Sequence, residues 1–437
     1  MQESAAIISA SAPVREAERY ASIDVLRGIA VLGILAINIY FFALPGNDYI
    51  YPSASGGFAG LNLLTWKFTS LFFLQKMMGI FSMLFGAGIV MMYDKAERAG
   101  RKFKALHYRR MFWLLIIGMI HAYFIWHGDI LVTYAICGMI LFIFRRRSPR
   151  TLIILGLALF FFGILIQVAG GYNFSRLKES AAEAERILQE GGEISKSQEE
   201  SMDAWKKVSS NFNTTEDSMK VESDAFRGGY VDVFKFRLPY AFMMQTQALI
   251  FIVIWRTLGI MLLGMALMKL GIFSAQRSMK FYLIMTLLGY GTGLPLVMYG
   301  INELIAHNFD FIYQFKVGMN YNHIGSVLVA LGHVGLVMLL YKWGILKWLT
   351  RCLAAVGRMA LSNYLFHAVV FTTIFYGYGL GLFNRFDRFY LMWFVAGMWV
   401  VNLAVSPLWL KYFQFGPAEW LWRTLTYRKR QPMRIIS

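Results

Sequence analysis

The apolar residues of this chain fall in unbroken blocks of roughly 20, the length that crosses a bilayer as an α-helix. Ten such runs begin near Ile23, Phe68, Met111, Ile130, Leu152, Ala241, Phe281, Ile324, Leu353 and Leu391. The polar stretches between them alternate in character. DKAERAGRKFKALHYRR follows the second run and RRRSPR the fourth. Lys269, Arg277 and Lys280 follow the sixth, Lys342, Lys347 and Arg351 the eighth, and Arg423, Arg428, Lys429, Arg430 and Arg434 crowd the tail. Segments after odd-numbered runs are poor in net positive charge. Lys and Arg collect on the cytoplasmic side of a membrane protein. The pattern therefore predicts an all-α, polytopic membrane protein of about ten transmembrane helices, with both termini cytoplasmic.

The organisation that follows is a polar tail at 1–18, spans one to five at 19–171, a polar insertion at 172–238, spans six to ten at 239–412 and a basic tail at 413–437. The tail at 1–18 is not a cleavable signal, because the apolar run after it is too long and opens with Asp24 and Arg27. Within the insertion, SAAEAERILQE is rich in helix formers and Gly191-Gly192 interrupts it. An external cap of short helices is expected between spans five and six, the alternative being a mobile external loop. Spans three and four are joined by HAYFIWHGDILVTYAICG, with Gly128 as the turn. So short a link makes them antiparallel neighbours. At about 15–17 residues each they are slightly short for a bilayer core, which puts the tip His127-Gly128-Asp129 at or just below the external surface.

Composition agrees. The chain is 57% hydrophobic and only 16% charged, against about 25% charged in an average soluble domain. A net charge of +18 would suggest nucleic acid in a soluble protein; here topology accounts for it, so the bilayer is the expected partner and nucleic acid is not. Cys137 and Cys352 lie in or beside apolar runs and read as packed thiols. With no HExxH, no CxxC and no Gly-rich loop after a strand, no metal is expected. GYGTG in span seven reads as helix packing or a kink. FGAGIVMM in span two and LGMALMKL in span six share small residues that let helices approach closely.

Ionisable groups inside a bilayer cost roughly 2.5–3.5 kcal/mol each on insertion scales, so they are the informative positions: Asp24, Arg27, Lys76, His121, His127, Asp129, Arg256, His333, Arg358 and His367. Asn38, Gln167, Gln245, Gln247, Asn363 and Asn402 add uncharged polarity. Asp24 and Arg27, three apart, share a helix face. They are either a capping carboxylate with a snorkelling guanidinium, or Arg27 turns inward to take an anion such as phosphate. His121 and His127 with Asp129 supply the parts of a general base, since a carboxylate fixes the imidazole tautomer and raises its basicity. The plainer reading is a pair that fastens the hairpin. Six residues along a helix is not one face, so the two histidines point differently. Arg256, mid-span, faces the interior, either in a salt bridge with Asp24 or Asp129 or towards substrate. His367 is a satisfied core histidine or, with Asn38 and Asn363, part of a substrate site.

RYASIDVLRGIAVLGILAINI, FSMLFGAGIVMMY, RRMFWLLIIGMIHAYFIWHGDILVTYAICG, FRGGYVDVFKFRLP, GRMALSNYLFH and FGPAEWLWRTLTY, in this order along most of the chain, resemble the YeiB-type bacterial membrane family. That family is similar in turn to the heparan glucosaminide acetyltransferase-like enzymes and, more distantly, to bacterial surface-polysaccharide O-acyltransferases. Both open on Asp-x-Leu/Phe-Arg-Gly-Ile-Ala, as Asp24 to Ala30 do here. The resemblance implies transfer of an acyl group from cytoplasmic acyl-CoA to a glycan, amine or lipid acceptor across a bacterial cytoplasmic (inner) membrane, with a homodimer as one assembly. The O-acyltransferase pattern has a catalytic His fourteen positions after that Asp, where this chain has Asn38. The heparan-type enzymes use a His in the next external loop, here GNDYIYPSASGG, which has none. The base therefore falls to His121 or His127 with Asp129. Asp24, Arg27, Asn38, Arg256, Asn363 and His367 are left as substrate-binding positions. A transporter or channel for a small polar or amphipathic solute, and a non-catalytic scaffold, are the competing expectations.

Overall fold

A computed structural model describes residues 20–46, 50–100, 103–212 and 215–435. The polar tail at 1–18 and part of the loop after the first apolar run lie outside the described residues. Every regular element is helical: α1 (Ala21–Ala43), α2 (Gly60–Phe72), α3 (Lys76–Arg98), α4 (Lys104–Ile120), α5 (Leu131–Leu141), α6 (Pro149–Gln189), α7 (Lys196–Phe212), α8 (Glu216–Arg227), α9 (Tyr230–Met243), α10 (Ile254–Lys269), α11 (Met279–Ala306), α12 (Met319–Trp343), α13 (Lys347–Arg358), α14 (Ala360–Phe375), α15 (Arg388–Tyr412) and α16 (Pro417–Tyr427).

Each of the ten predicted runs falls on a helix, but they are not ten equal spans. Among the described residues, seven helical rods are long and apolar enough to cross a bilayer, and the bent pair α13–α14 makes an eighth. Runs three and four are α4 and α5, which form a shorter hairpin. The polar boundaries at 172 and 238 fall inside continuous helices. α6 has 41 residues, about 60 Å of helix, twice the hydrocarbon thickness of about 30 Å. The 40-residue rod Tyr230–Lys269 does the same on the return. The insertion thus grows out of spans five and six as their extensions, with α7 and α8 between.

Close approach of helices follows the small residues. A Cβ on Gly86 would strike the Met261 carbonyl, and one on Gly264 would strike that of Met83, so α3 and α10 touch backbone to backbone. These are the glycines of FGAGIVMM and LGMALMKL. The apolar windows of α6 and α11 are only 22% and 28% buried, as faces bathed in lipid should be.

Backbone irregularities interrupt the bundle at several places. Gln75 sits at φ 64 between α2 and α3. π-helical segments occupy His121–Ile125, Met244–Val253 and Gln314–Gly318. The break between α13 and α14 bends the chain by 79°. π-turns insert an extra residue and re-aim the side chains around them, which is why they recur at functional sites.

α1 and α16 meet at one end of the bundle, where Arg423 of α16 interacts electrostatically with Asp24 and Arg27 of α1. At the other end α8 is docked. The Gly46 N–H donates to Glu222 Oε2 at 2.7 Å, the Gly377 N–H to Phe226 O at 2.8 Å, and Arg227 Nη2 to Phe383 O at 2.8 Å. Phe226 is buried with Phe42, Trp126, Phe371, Tyr376 and Phe383. This part of the insertion is an integral wall of the protein.

Candidate functional site

The hairpin α4–α5 carries the site. α4 ends in the π-turn His121–Ile125, and this turn faces His121 across the hairpin towards Asp129. His121 Nδ1 lies 2.8 Å from Asp129 Oδ1, with side-chain exposures of 1% and 0%. The second carboxylate oxygen, Oδ2, accepts the Val132 N–H at 2.8 Å and so caps the first turn of α5. Both oxygens of Asp129 are engaged, which fixes the carboxylate. With Nδ1–H donated to it, His121 keeps a lone pair on Nε2. That atom is buried and has no protein partner. The rings of Tyr364 and Trp126 stand beside it, 5.1 and 6.3 Å between centroids. Tyr364 OH donates to Gly128 O at 3.4 Å, holding the tip from α14.

The carbonyls that end the π-turn would be orphans without help. Arg237 of α9, 1% exposed, donates to Ile125 O and, at 3.3 Å, to Tyr123 O. Tyr230 OH donates to Phe124 O at 2.8 Å. The insertion therefore braces the turn that aims His121. His127 takes no part in the pair with Asp129. It points to Tyr240, 6.3 Å between ring centroids, with Nδ1 buried and unpartnered.

At the tail end, Arg27 Nη1 pairs with Asp24 Oδ1 at 3.0 Å, the side chains being 30% and 13% exposed. Arg110 of α4 and Arg423 of α16 join this pair electrostatically. Arg110 lies 3.9 Å over the Trp422 ring, and Arg423 4.5 Å over Phe415. Arg109 donates to Thr426 O, tying α16 to α4. Burial first, then the charge of Arg27, holds Arg423 below the usual arginine range against the opposing pull of Tyr427 and Glu419. Glu419 is raised by burial although Ser362 and the Leu361 and Ser362 N–H groups all donate to its carboxylate. Among the described residues, three guanidinium groups thus share this end with the carboxylates of Asp24 and Glu419.

The remaining predicted positions are spread elsewhere. Asn363 donates to Val356 O at 3.1 Å and Ser406 Oγ at 3.2 Å, and His367 Nε2 pairs with Asn402 at 2.6 Å; both tie α14 to its surroundings. Asn38 is half-buried on α1. Arg256 donates to Ser326 Oγ at 3.0 Å and belongs to a separate polar cluster. There the fully buried Lys76 donates to Ser70 O at 2.7 Å and Asn322 Oδ1 at 2.5 Å. Sequence reasoning assigned no role to Arg237, Tyr364, Glu222 or Arg423. The motifs FRGGYVDVFKFRLP, GRMALSNYLFH and FGPAEWLWRTLTY contain three of the four, but spacing alone does not say which helix each meets.

These features define a multi-pass α-helical membrane protein with a buried histidine–carboxylate pair on a helical hairpin. Residues 267–429 match the family model described as "Protein of unknown function (DUF418)". The chain is 30% identical over 431 residues to "Uncharacterized protein YeiB" of Escherichia coli (strain K12), covering 95% of this chain and 98% of that protein. It is 29% identical over 445 residues to "Uncharacterized protein YxaH" of Bacillus subtilis (strain 168), covering 98% of each. The chain belongs to the YeiB family. No solved structure matches it.

Proposed function

We propose that this protein is a transmembrane acyltransferase, moving an acyl group from acyl-CoA to a hydroxyl or amine acceptor. The observation that carries the reading is the His121–Asp129 pair with its buried, unpartnered Nε2. His121 Nε2 takes the proton of the acceptor as its oxygen or nitrogen attacks the thioester carbonyl. The C–S bond breaks, and the imidazolium returns that proton to the departing CoA sulfur. Asp129 holds the tautomer and offsets the charge that His121 carries midway.

The second support lies at the other end of α4. Arg27, Arg110 and Arg423 present planar forks suited to phosphate. The positive-inside pattern supports a cytoplasmic assignment for this end, where acyl-CoA is found, and with it the reading of a bacterial cytoplasmic membrane protein. From Arg110 to His121 is eleven residues, about 16 Å at the helical rise. An extended pantetheine arm has the length to bridge such a gap.

The test is CoA release by purified protein in liposomes supplied with acyl-CoA, with His121→Gln and Asp129→Asn as controls. Release that survives both substitutions sinks the reading and leaves the pair a hairpin fastener. A second reading, transport of a small anion, is favoured by the Lys76–Asn322 and Arg256–Ser326 cluster beside the broken α2–α3 span. It requires solute flux that is indifferent to CoA.

A further inference from the structure

Four buried polar atoms at the insertion end have no protein partner: Trp126 Nε1, His127 Nδ1, Arg237 Nε and Tyr376 OH. Their side chains come from three separate parts of the chain, the hairpin tip, α9 and the segment after α14, yet they share one locality. The Trp126 and His127 rings lie 6.0 Å apart, and His127 and Tyr240 6.3 Å apart. Arg237 acts electrostatically on both His127 and Tyr376. Glu222, on the docked α8, acts on both Tyr240 and Tyr376. Trp126, Arg237 and Tyr376 are 2%, 1% and 0% exposed. One unpaired buried polar atom is tolerable; four in one place are costly unless something binds there.

From this convergence we infer that the locality between the hairpin tip and the docked helices α8 and α9 binds a neutral polyol, the hydroxyl-rich end of a glycosyl or glycerol unit. The chemistry of the wall selects it. Trp Nε1–H and Arg Nε–H can only donate, the Glu222 carboxylate accepts, and Tyr376 and His127 can do either. A hydroxyl both donates and accepts, so it can satisfy all of them. An ammonium would face Arg237, and a phosphate would face Glu222. As the acceptor's seat this inference rests on the acyl-transfer reading; as a binding site it does not.

Tyr376→Phe removes one oxygen and leaves the ring packing intact. The experiment measures binding of methyl glucoside, glycerol and ethanolamine to detergent-purified protein without acyl-CoA, by saturation-transfer NMR. A fall of roughly tenfold in methyl glucoside or glycerol affinity in Tyr376→Phe and Trp126→Phe, at unchanged melting temperature, supports the site, with ethanolamine silent. If the ring binds, the source is a glycan. If only glycerol binds, and nanodiscs of phosphatidylglycerol but not phosphatidylcholine suppress it, the source is a lipid headgroup. Equal affinity in wild type and both variants, no binding of either polyol, or ethanolamine binding as well as methyl glucoside each overturn it. Because no acyl-CoA is present, a negative result here is separable from failure of CoA release.

Discussion

His121 Nδ1 stands 2.8 Å from Asp129 Oδ1, and Asp129 spends its other oxygen on the Val132 N–H that opens the next helix. One carboxylate therefore does two tasks, orienting an imidazole and capping α5. Replacing it with asparagine keeps the shape and reverses the preferred tautomer of His121. Asp129→Asn should lower CoA release by about 10²–10⁴-fold with a small change in melting temperature. Asp129→Ala should lose the cap as well, about 1 kcal/mol of stability. Kinetics and thermal unfolding of the two variants side by side separate orientation from capping.

The arginine cluster makes a different demand. If Arg27, Arg110 and Arg423 hold phosphates, then Arg110→Gln and Arg423→Gln remove binding shared by ground and transition states. KM for acyl-CoA should rise roughly tenfold in each, with kcat little altered. Rising salt should raise KM in the wild type and less so in the variants. Steady-state measurements at two ionic strengths check this, and a fall in kcat at constant KM would contradict it.

Glu222 should make docking of α8 depend on pH. Burial raises its carboxyl from 4.5 to about 7, with the Gly46 N–H pulling the other way. A carboxyl raised in the folded state binds its proton more tightly there than in the undocked chain. Docking is therefore fully favoured below about 4.5 and weakens as pH rises towards and through about 7. Hydrogen-exchange protection factors across Glu216–Arg227, referred to the intrinsic exchange rate at each pH, should fall between pH 5.5 and 8, and Glu222→Gln should abolish the fall.

The backbone contact between α3 and α10 can be tested with single methyl groups. Gly264→Ala places a Cβ against the Met83 carbonyl, and Gly86→Ala one against that of Met261. Each forces two helices apart and should cost about 1–3 kcal/mol. Gly88→Ala, where nothing lies within 4 Å, should be neutral to about 0.5 kcal/mol. Thermal unfolding of the three in one detergent provides the comparison.

Some of the site was legible before any coordinates. His121 and Asp129 lie eight residues apart across a turn marked by Gly128, so a short link alone brings them together. His127 was an equal candidate, and only the π-turn, which no residue pattern announces, decided between them. The substrate positions fared less evenly. Arg27 joins a charged cluster, whereas Asn363 and His367 serve partners on α13 and α15. Arg256, a mid-span charge like the others, belongs to a different cluster from the dyad.

What the chain's letters determined alone was what the bilayer imposes: ten apolar runs, the basic segments between them and a helical hairpin too short to be anything but a neighbouring pair. Those are local properties, because hydrocarbon thickness and the cost of a charge act on each segment separately. The meeting of Arg27 with Arg110 and Arg423, the bracing of the π-turn by Arg237, and the docking of Glu222 on Gly46 were decided by tertiary structure. They join segments hundreds or scores of residues apart, and a buried hydrogen bond has no counterpart in the spacing of residues along the chain until the helices pack.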